Sequence, residues 1–282
     1  MINESAEVRP ASRCLGELTF QQVRPWVKNT SILCLPLGAI EQHGPHLPLN
    51  TDITVAEGLA RRILARWGDE FDLWLLPGIP LGLSREHDWA PGTLSLSIEV
   101  FVALLKQMAR ELVRALPARN LLLVNGHGGN RGALENLLHE LQSELAFNCS
   151  AIHPFELARS ATKIPETDVH GGLAETSVML VLSPELVHLE RLEPGADPGP
   201  EITSVHALIF DRGVSFPWRS SDPRLARDGV IGNARAASVE MGQAIIDAVL
   251  TQTHPVLHRL LENQKIARSG NPTPPWQGQQ GR

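Results

Sequence analysis

The chain has 282 residues, a formal net charge of −6 and 43% hydrophobic residues. This is the balance of a globular α/β unit, and its mild acidity excludes the electrostatic footprint of a nucleic-acid or anionic-membrane binder. No apolar run reaches membrane-span length, and no charged start precedes an apolar core at the N-terminus. The sequence therefore predicts a cytoplasmic protein without a membrane partner. The three cysteines, Cys14, Cys34 and Cys149, fit no zinc ribbon or redox pair and read as small hydrophobes in a reducing compartment. There is no tyrosine, so phenol is removed from the acid–base repertoire.

Residues 31–37 read as a short buried strand. Residues 51–67 follow as a helix, with Val55, Ala56, Leu59, Ala60, Ile63, Leu64 and Trp67 at helical period and Asn50 or Thr51 as its cap. A second strand is predicted at 71–77. Ser97 caps a long helix carrying Phe101, Leu104, Leu105, Met108 and Leu112. Residues 120–124 are the clearest strand, closed by the turn Gly126–Gly129 and followed by a helix with Leu134, Leu137, Leu138, Leu141 and Leu145 in register. A fourth strand is predicted at 149–153, a helix from near Ala174 through Leu182, a loop at 194–200, and a last helix over about 233–250 that extends towards 266. Alternating strands and helices predict a mostly parallel sheet with helices on both faces. We expect one domain over 14–266, with flexible termini at 1–13 and 267–282.

Metal-ligand residue types concentrate in three segments at predicted strand or helix ends. In GAIEQHGPHLPLNTD (38–52), Glu41 and His43 are two apart and point to one side of an extended backbone. Asp52 opens a helix on its apolar face, where a carboxylate is costly unless paired or metal-bound. In NGHGGN (125–130), His127 sits in a glycine turn that lets a ligand approach the backbone. In HGGLAETS (170–177), Glu175 repeats the Asp52 pattern and His170 stands just ahead of it. Mixed carboxylate and imidazole ligands suit zinc or manganese, and five of them suit two ions sharing a carboxylate. The rival reading of the same residues is a non-catalytic phosphate or nucleotide binder, with NGHGG before a helix and the acids as caps. His46 reads as ligand or loop support, His87 as a ligand's neighbour or a structural histidine, and His153 as a residue that could line the pocket. His139, His188, His206, His254 and His258 read as surface or core residues.

The motifs LGAIEQHGPHLPLNTD (37–52), LSREHDWAPGTLSL (83–96), VNGHGGN (124–130) and HGGLAETSVML (170–180) resemble the creatininase family, with weaker similarity over 229–242. The resemblance implies a three-layer α/β/α sandwich, a homo-oligomer (hexamers are common) and hydrolysis of a C–N bond in a small cyclic or linear amide or formamide, of a type other than a peptide bond. Some relatives act instead on peptides or cyclitol ketones. It also implies two divalent ions per subunit, zinc first, manganese or iron(II) as alternatives. One would be held by Glu41, Asp52 and His127, the other by His43, Asp52 and Glu175, with Asp52 bridging. His170 matches the catalytic histidine; Ser84 or Asn130 is expected to hydrogen-bond the substrate, with Gly128 and Glu166 as further expected substrate contacts. Creatininases proper carry an aromatic residue and a glutamate where this chain has Gly128 and Gly129, and a tryptophan where it has Glu166. The resemblance therefore points away from creatinine itself. Specificity is expected from 83–93, 153–169 and 211–224.

Overall fold

The structure, a computed structural model, describes residues 10, 12–193, 202–210 and 213–269. The predicted loop at 194–200 and most of the predicted flexible termini lie outside the described residues, as do the first two positions of 211–224. The elements run α1 (Phe20–Trp26), β1 (Ile32–Leu37), α2 (Thr51–Trp67), β2 (Leu73–Leu75), α3 (Ile98–Ala115), β3 (Asn120–Asn125), α4 (Arg131–Leu145), β4 (Asn148–Ile152), α5 (Pro154–Thr162), α6 (Leu173–Leu182), the short α7 (Ile202–Val205) and α8 (Val239–Ser269).

The sheet order is β2-β1-β3-β4, with every pairing parallel. Side chains alternate between its faces because successive residues of a strand point oppositely. Ile32, Cys34, Leu122 and Val124 pack on one face with α2, α6 and α8. Leu33, Leu35, Leu37, Leu121 and Leu123 pack on the other with α3 and α4. The result is helices on both faces of a parallel sheet, the predicted α/β class. All three cysteines are free, and burial pushes the Cys34 and Cys149 thiols up to about 12.

The topology decides where a site forms. From β1 the chain steps to β2 on one side, then returns past β1 to β3 on the other. Between β1 and β3 the connections diverge to opposite faces, and a crevice opens beyond their carboxyl ends, where such sheets bind ligands. Leu37 and Asn125 are paired at that end of the two strands, and Glu41 and His127 follow within four residues.

Several boundaries differ from the sequence expectation for local reasons. The cap of α2 makes no side-chain hydrogen bond; Asn50 offers only its carbonyl, to the Thr54 amide, and Thr51 Oγ1 donates to the Pro48 carbonyl. Strand β2 is only three residues long, because Asp72 takes a left-handed φ of 49° just before it. The last helix begins at Val239 and not at 233, since the Asn233 side chain caps a separate 3-10 turn by accepting from the Ala236 amide. Ser97 does cap α3, accepting from the Val100 amide.

Candidate metal centre

Two glycines allow the first turn of α2 to sit against the strand ends. A Cβ at Gly38 would lie 2.5 Å from the Ile53 amide nitrogen, and one at Gly126 would collide with the Asp52 carbonyl oxygen. Side chains at either place would push α2 outward. Their absence lets Asp52, 1% exposed, stand between Glu41 from β1 and His127 from β3. Helix α6 adds Glu175 in its own first turn, and Glu175 Oε2 accepts from the Gly171 amide at 2.5 Å. Asp168 fixes that helix start by accepting from the Leu173 and Ala174 amides.

The five predicted ligands converge. Asp52 presents one oxygen to each imidazole: Oδ1 lies 3.0 Å from His43 Nε2, and Oδ2 lies 3.0 Å from His127 Nδ1. Glu41 Oε1 is 3.3 Å from His127 Nδ1, and Glu175 Oε2 is 3.7 Å from His43 Nε2. Glu41, Asp52 and His127 form one group able to hold a cation, and His43, Asp52 and Glu175 another.

The imidazole tautomers are set from behind. His43 Nδ1 donates to the Glu41 carbonyl at 3.1 Å, and His127 Nε2 donates to the Leu83 carbonyl at 2.6 Å. Each ring then turns its unprotonated nitrogen towards the carboxylates, the arrangement in which outer partners orient metal ligands. Both oxygens of Glu41 and Oδ2 of Asp52 are buried without a hydrogen-bond donor. Orphaned carboxylate oxygens facing imidazole lone pairs are unstable unless positive charge lies between them. The residues thus fit divalent cations.

Without a cation, protons would supply that charge. Burial alone would lower His43, but Asp52, Glu175 and Glu41 raise it to about 10. His127 is likewise lifted well above its usual range by Glu41 and Asp52 against its burial. Burial would raise Asp52, yet the two imidazoles hold it well below the usual carboxylate range. Burial raises Glu175 to about 8 despite His43.

His170 lies against both ligand groups, and with Glu41 and His43 it forms a third set of ligand atoms within 4.8 Å of one another. Its Nε2 donates to the Gln42 carbonyl at 2.6 Å, leaving Nδ1 as an acceptor 3.6 Å from Glu41 Oε1. Its ring lies between His87 (3.9 Å, stacked) and His43 (4.3 Å). Burial, then those two neighbours, hold His170 well below its usual pKa, so at neutral pH Nδ1 carries a free lone pair.

The remaining predicted residues divide. Gly128 lines a cavity of about 960 Å³ together with Glu41, His127, His170, Trp218 and Arg219. Ser84 is fully buried behind His127, its Oγ 3.5 Å from Nε2. Asn130 is also fully buried; it accepts from the Leu83 amide and donates to Asn125 Oδ1 and the Gly38 carbonyl, tying the turn together. Glu166 is exposed on the surface. His153 accepts from Asn125 and lines a second cavity of about 180 Å³ that shares His127, Gly128, His170 and Glu175 with the first. His87 is buried, with Nε2 3.6 Å from Glu41 Oε1, and His46 is buried against Thr176 Oγ1 at 2.9 Å.

Two residues escaped the sequence reading. Gln42 donates through Nε2 to Ser220 Oγ and the Gly229 carbonyl, lies 2.9 Å from His87 Nδ1, and accepts the Gly44 amide at Oε1. Ser220, 1% exposed, joins Gln42, His87 and Trp89. Gln42 lies between two predicted ligands, which was the available signal. Ser220 had none, since its partners are more than a hundred residues away.

Comparison with known proteins agrees with this geometry. A family model described as creatinine amidohydrolase matches residues 16–257. The mycofactocin precursor peptide peptidase of Mycobacterium tuberculosis (strain ATCC 25618 / H37Rv) is 41% identical over 248 residues, covering 84% of this chain and 87% of that protein. The creatinine amidohydrolase of Pseudomonas putida is 28% identical over 257 residues, covering 83% and 91%. A solved structure described as creatininase Mn superposes with a TM-score of 0.74 at 27% identity, covering 88% of this chain and 98% of that one.

Proposed function

Because this chain belongs to the creatininase family of hydrolases, we propose that it cleaves an amide C–N bond with the help of two divalent cations, zinc or manganese class. The observation that carries the reading is the pair of three-residue groups sharing Asp52, with buried Glu41 and Asp52 oxygens that no hydrogen bond satisfies. Glu41, Asp52 and His127 would hold one ion; His43, Asp52 and Glu175 would hold the other. Such ions, when bound, lower the pKa of a water between them and polarise a carbonyl.

The chain's own residues do the rest. His170 Nδ1 faces the centre with a free lone pair and takes the proton released as water adds to the carbonyl carbon. Its low pKa makes the resulting imidazolium a ready acid, and it passes that proton to the departing nitrogen. The Gln42 carbonyl holds Nε2–H throughout, so the ring does not rotate away. Gly129 itself offers no proton-transfer group; the carboxyl that borders this place in the cavity is that of Glu86, whose pKa burial raises.

We infer a peptide-derived amide as substrate. The cavity of about 960 Å³ opens to solvent and leaves room for chain on either side of the scissile bond, as a peptide requires. Greater identity to a peptide peptidase than to a creatinine amidohydrolase supports the same choice. This moves the expectation from non-peptide amides towards a peptide bond. A small cyclic amide or formamide is the second reading, favoured by the smaller cavity of about 180 Å³ beside His170 and Glu175. The rival phosphate-binding reading is disfavoured, because a buried pair of unsatisfied carboxylates repels an anion. A screen of the metal-loaded chain against the mycofactocin precursor peptide, creatinine and N-formylated amines tests the choice. Peptide cleavage abolished by chelator and restored by zinc or manganese is expected; turnover of a small amide alone would overturn the peptide reading.

A further inference from the structure

A second group of metal-ligating side chains lies at the other end of α2. The centre described above uses Asp52 in the first turn of that helix, whereas this group surrounds its last turn, roughly 25 Å away along a 17-residue helix. His254 and His258 are four apart on α8, so they project from one face of it. Both turn Nε2 towards Oε1 of Glu70, which follows α2 in the chain: the distances are 2.9 Å and 3.8 Å. The three ligand atoms lie within 4.8 Å of one another.

The rings are held in place by an aromatic wall. His254 packs on Trp67 with centroids 4.4 Å apart and meets Phe71 edge-on at 5.2 Å. His258 meets Phe71 edge-on at 4.9 Å, and the two imidazoles are 4.7 Å apart. Trp67 is fixed in turn by donating Nε1–H to the Leu250 carbonyl. The wall limits the rotamers of both histidines, so little side-chain entropy remains to be lost on binding a ligand. The side chains of Glu70, His254 and His258 are 47%, 32% and 57% exposed, which leaves a path for an ion and a place for water as fourth ligand.

We propose that Glu70, His254 and His258 form a surface site for a divalent cation of the zinc class, separate from the catalytic centre. Two imidazoles and a carboxylate with an open fourth position suit zinc and disfavour the all-oxygen preferences of calcium and magnesium. An ion there clamps α8 to the end of α2 and stabilises the fold by an amount that grows with the logarithm of free zinc above its dissociation constant. A simple His254–Glu70 hydrogen bond explains one of the distances but not the convergence of the second imidazole on the same oxygen.

The test is a count of zinc ions bound per chain as metal-free protein is titrated with zinc sulfate. Wild type is compared with H254A, H258A and D52N. H254A and H258A should each bind one ion fewer than wild type, or bind that ion at least about tenfold more weakly, while keeping wild-type turnover. D52N should lose the inner ions and keep the outer one, which separates this proposal from the catalytic reading. Equal zinc uptake by wild type and both histidine variants would overturn it, whatever the inner centre holds.

Discussion

Loading the centre with metal should expel protons, and the structure says about how many. In the metal-free chain at pH 7, His43 with its pKa near 10 and His127, lifted well above its usual range, both carry a proton on the nitrogen that faces the carboxylates. Glu175, raised to about 8, is also largely protonated. Cations require all three groups in their basic forms. Filling the centre at pH 7 should therefore release about two to three protons per chain. Apparent affinity, counted over both ions, should then climb by about two to three powers of ten per pH unit near neutrality. Towards pH 9 the Glu175 proton is already gone and the release should fall to about two. Calorimetric titration with zinc in buffers of different ionisation heat measures the number directly. A release below one proton would refute the reasoning, because the imidazoles would then not be sharing protons with the carboxylates.

Other outcomes follow from the same contacts. His170→Ala should cut turnover by about 10²–10⁴ while both ions stay bound, checked by mass spectrometry of the metal content beside kinetics. Acid should destabilise the fold through His46 and His87, whose pKa values burial lowers to about 4 from 6.5. Because the folded values lie below the unfolded one, this stability is full above pH 6.5 and is lost as pH falls towards 4. Each group accounts for about 3 kcal/mol. Because Glu175, raised to about 8, gains stability in the same acid range, the check is His46→Gln, whose urea midpoint should drop less than that of wild type from pH 7 to 4.5; an equal drop would contradict it. Gly126→Ala should cost about 1–3 kcal/mol by driving a methyl group into the Asp52 carbonyl. It should also depress activity and metal content together. Gly128→Ala, with open space around it, should leave the melting temperature unchanged.

Local pattern made much of this molecule legible. Helix α2 spans Thr51–Trp67 as its periodicity predicts, and that helix phase alone placed Asp52 on a buried face. Chain order of strands and helices was enough to put Glu41 and His127 beyond the carboxyl ends of strands, whereas the pairing of β1 with β3 that brings them together is a matter of topology. What stayed hidden depends on contacts distant in sequence. Helix α1 carries a mixed FQQVRPW stretch with proline near its end and no clear apolar stripe. Helix α5 is short and follows β4 without a loop. Ser220 reaches Gln42 across 178 positions, and no periodicity reports such a pairing. Asn130, expected from its motif to meet the substrate, is fully buried and bonds to Leu83, Gly38 and Asn125, contacts that its motif did not reveal.

The central claim is a dinuclear centre bridged by Asp52. Anomalous scattering from crystals grown with zinc tests it directly. Two peaks ~3.5–4 Å apart are expected on either side of Asp52. One should lie ~2.0–2.2 Å from Glu41 and His127, the other at the same range from His43 and Glu175. A single peak, or peaks that leave Asp52 uncoordinated, would contradict it.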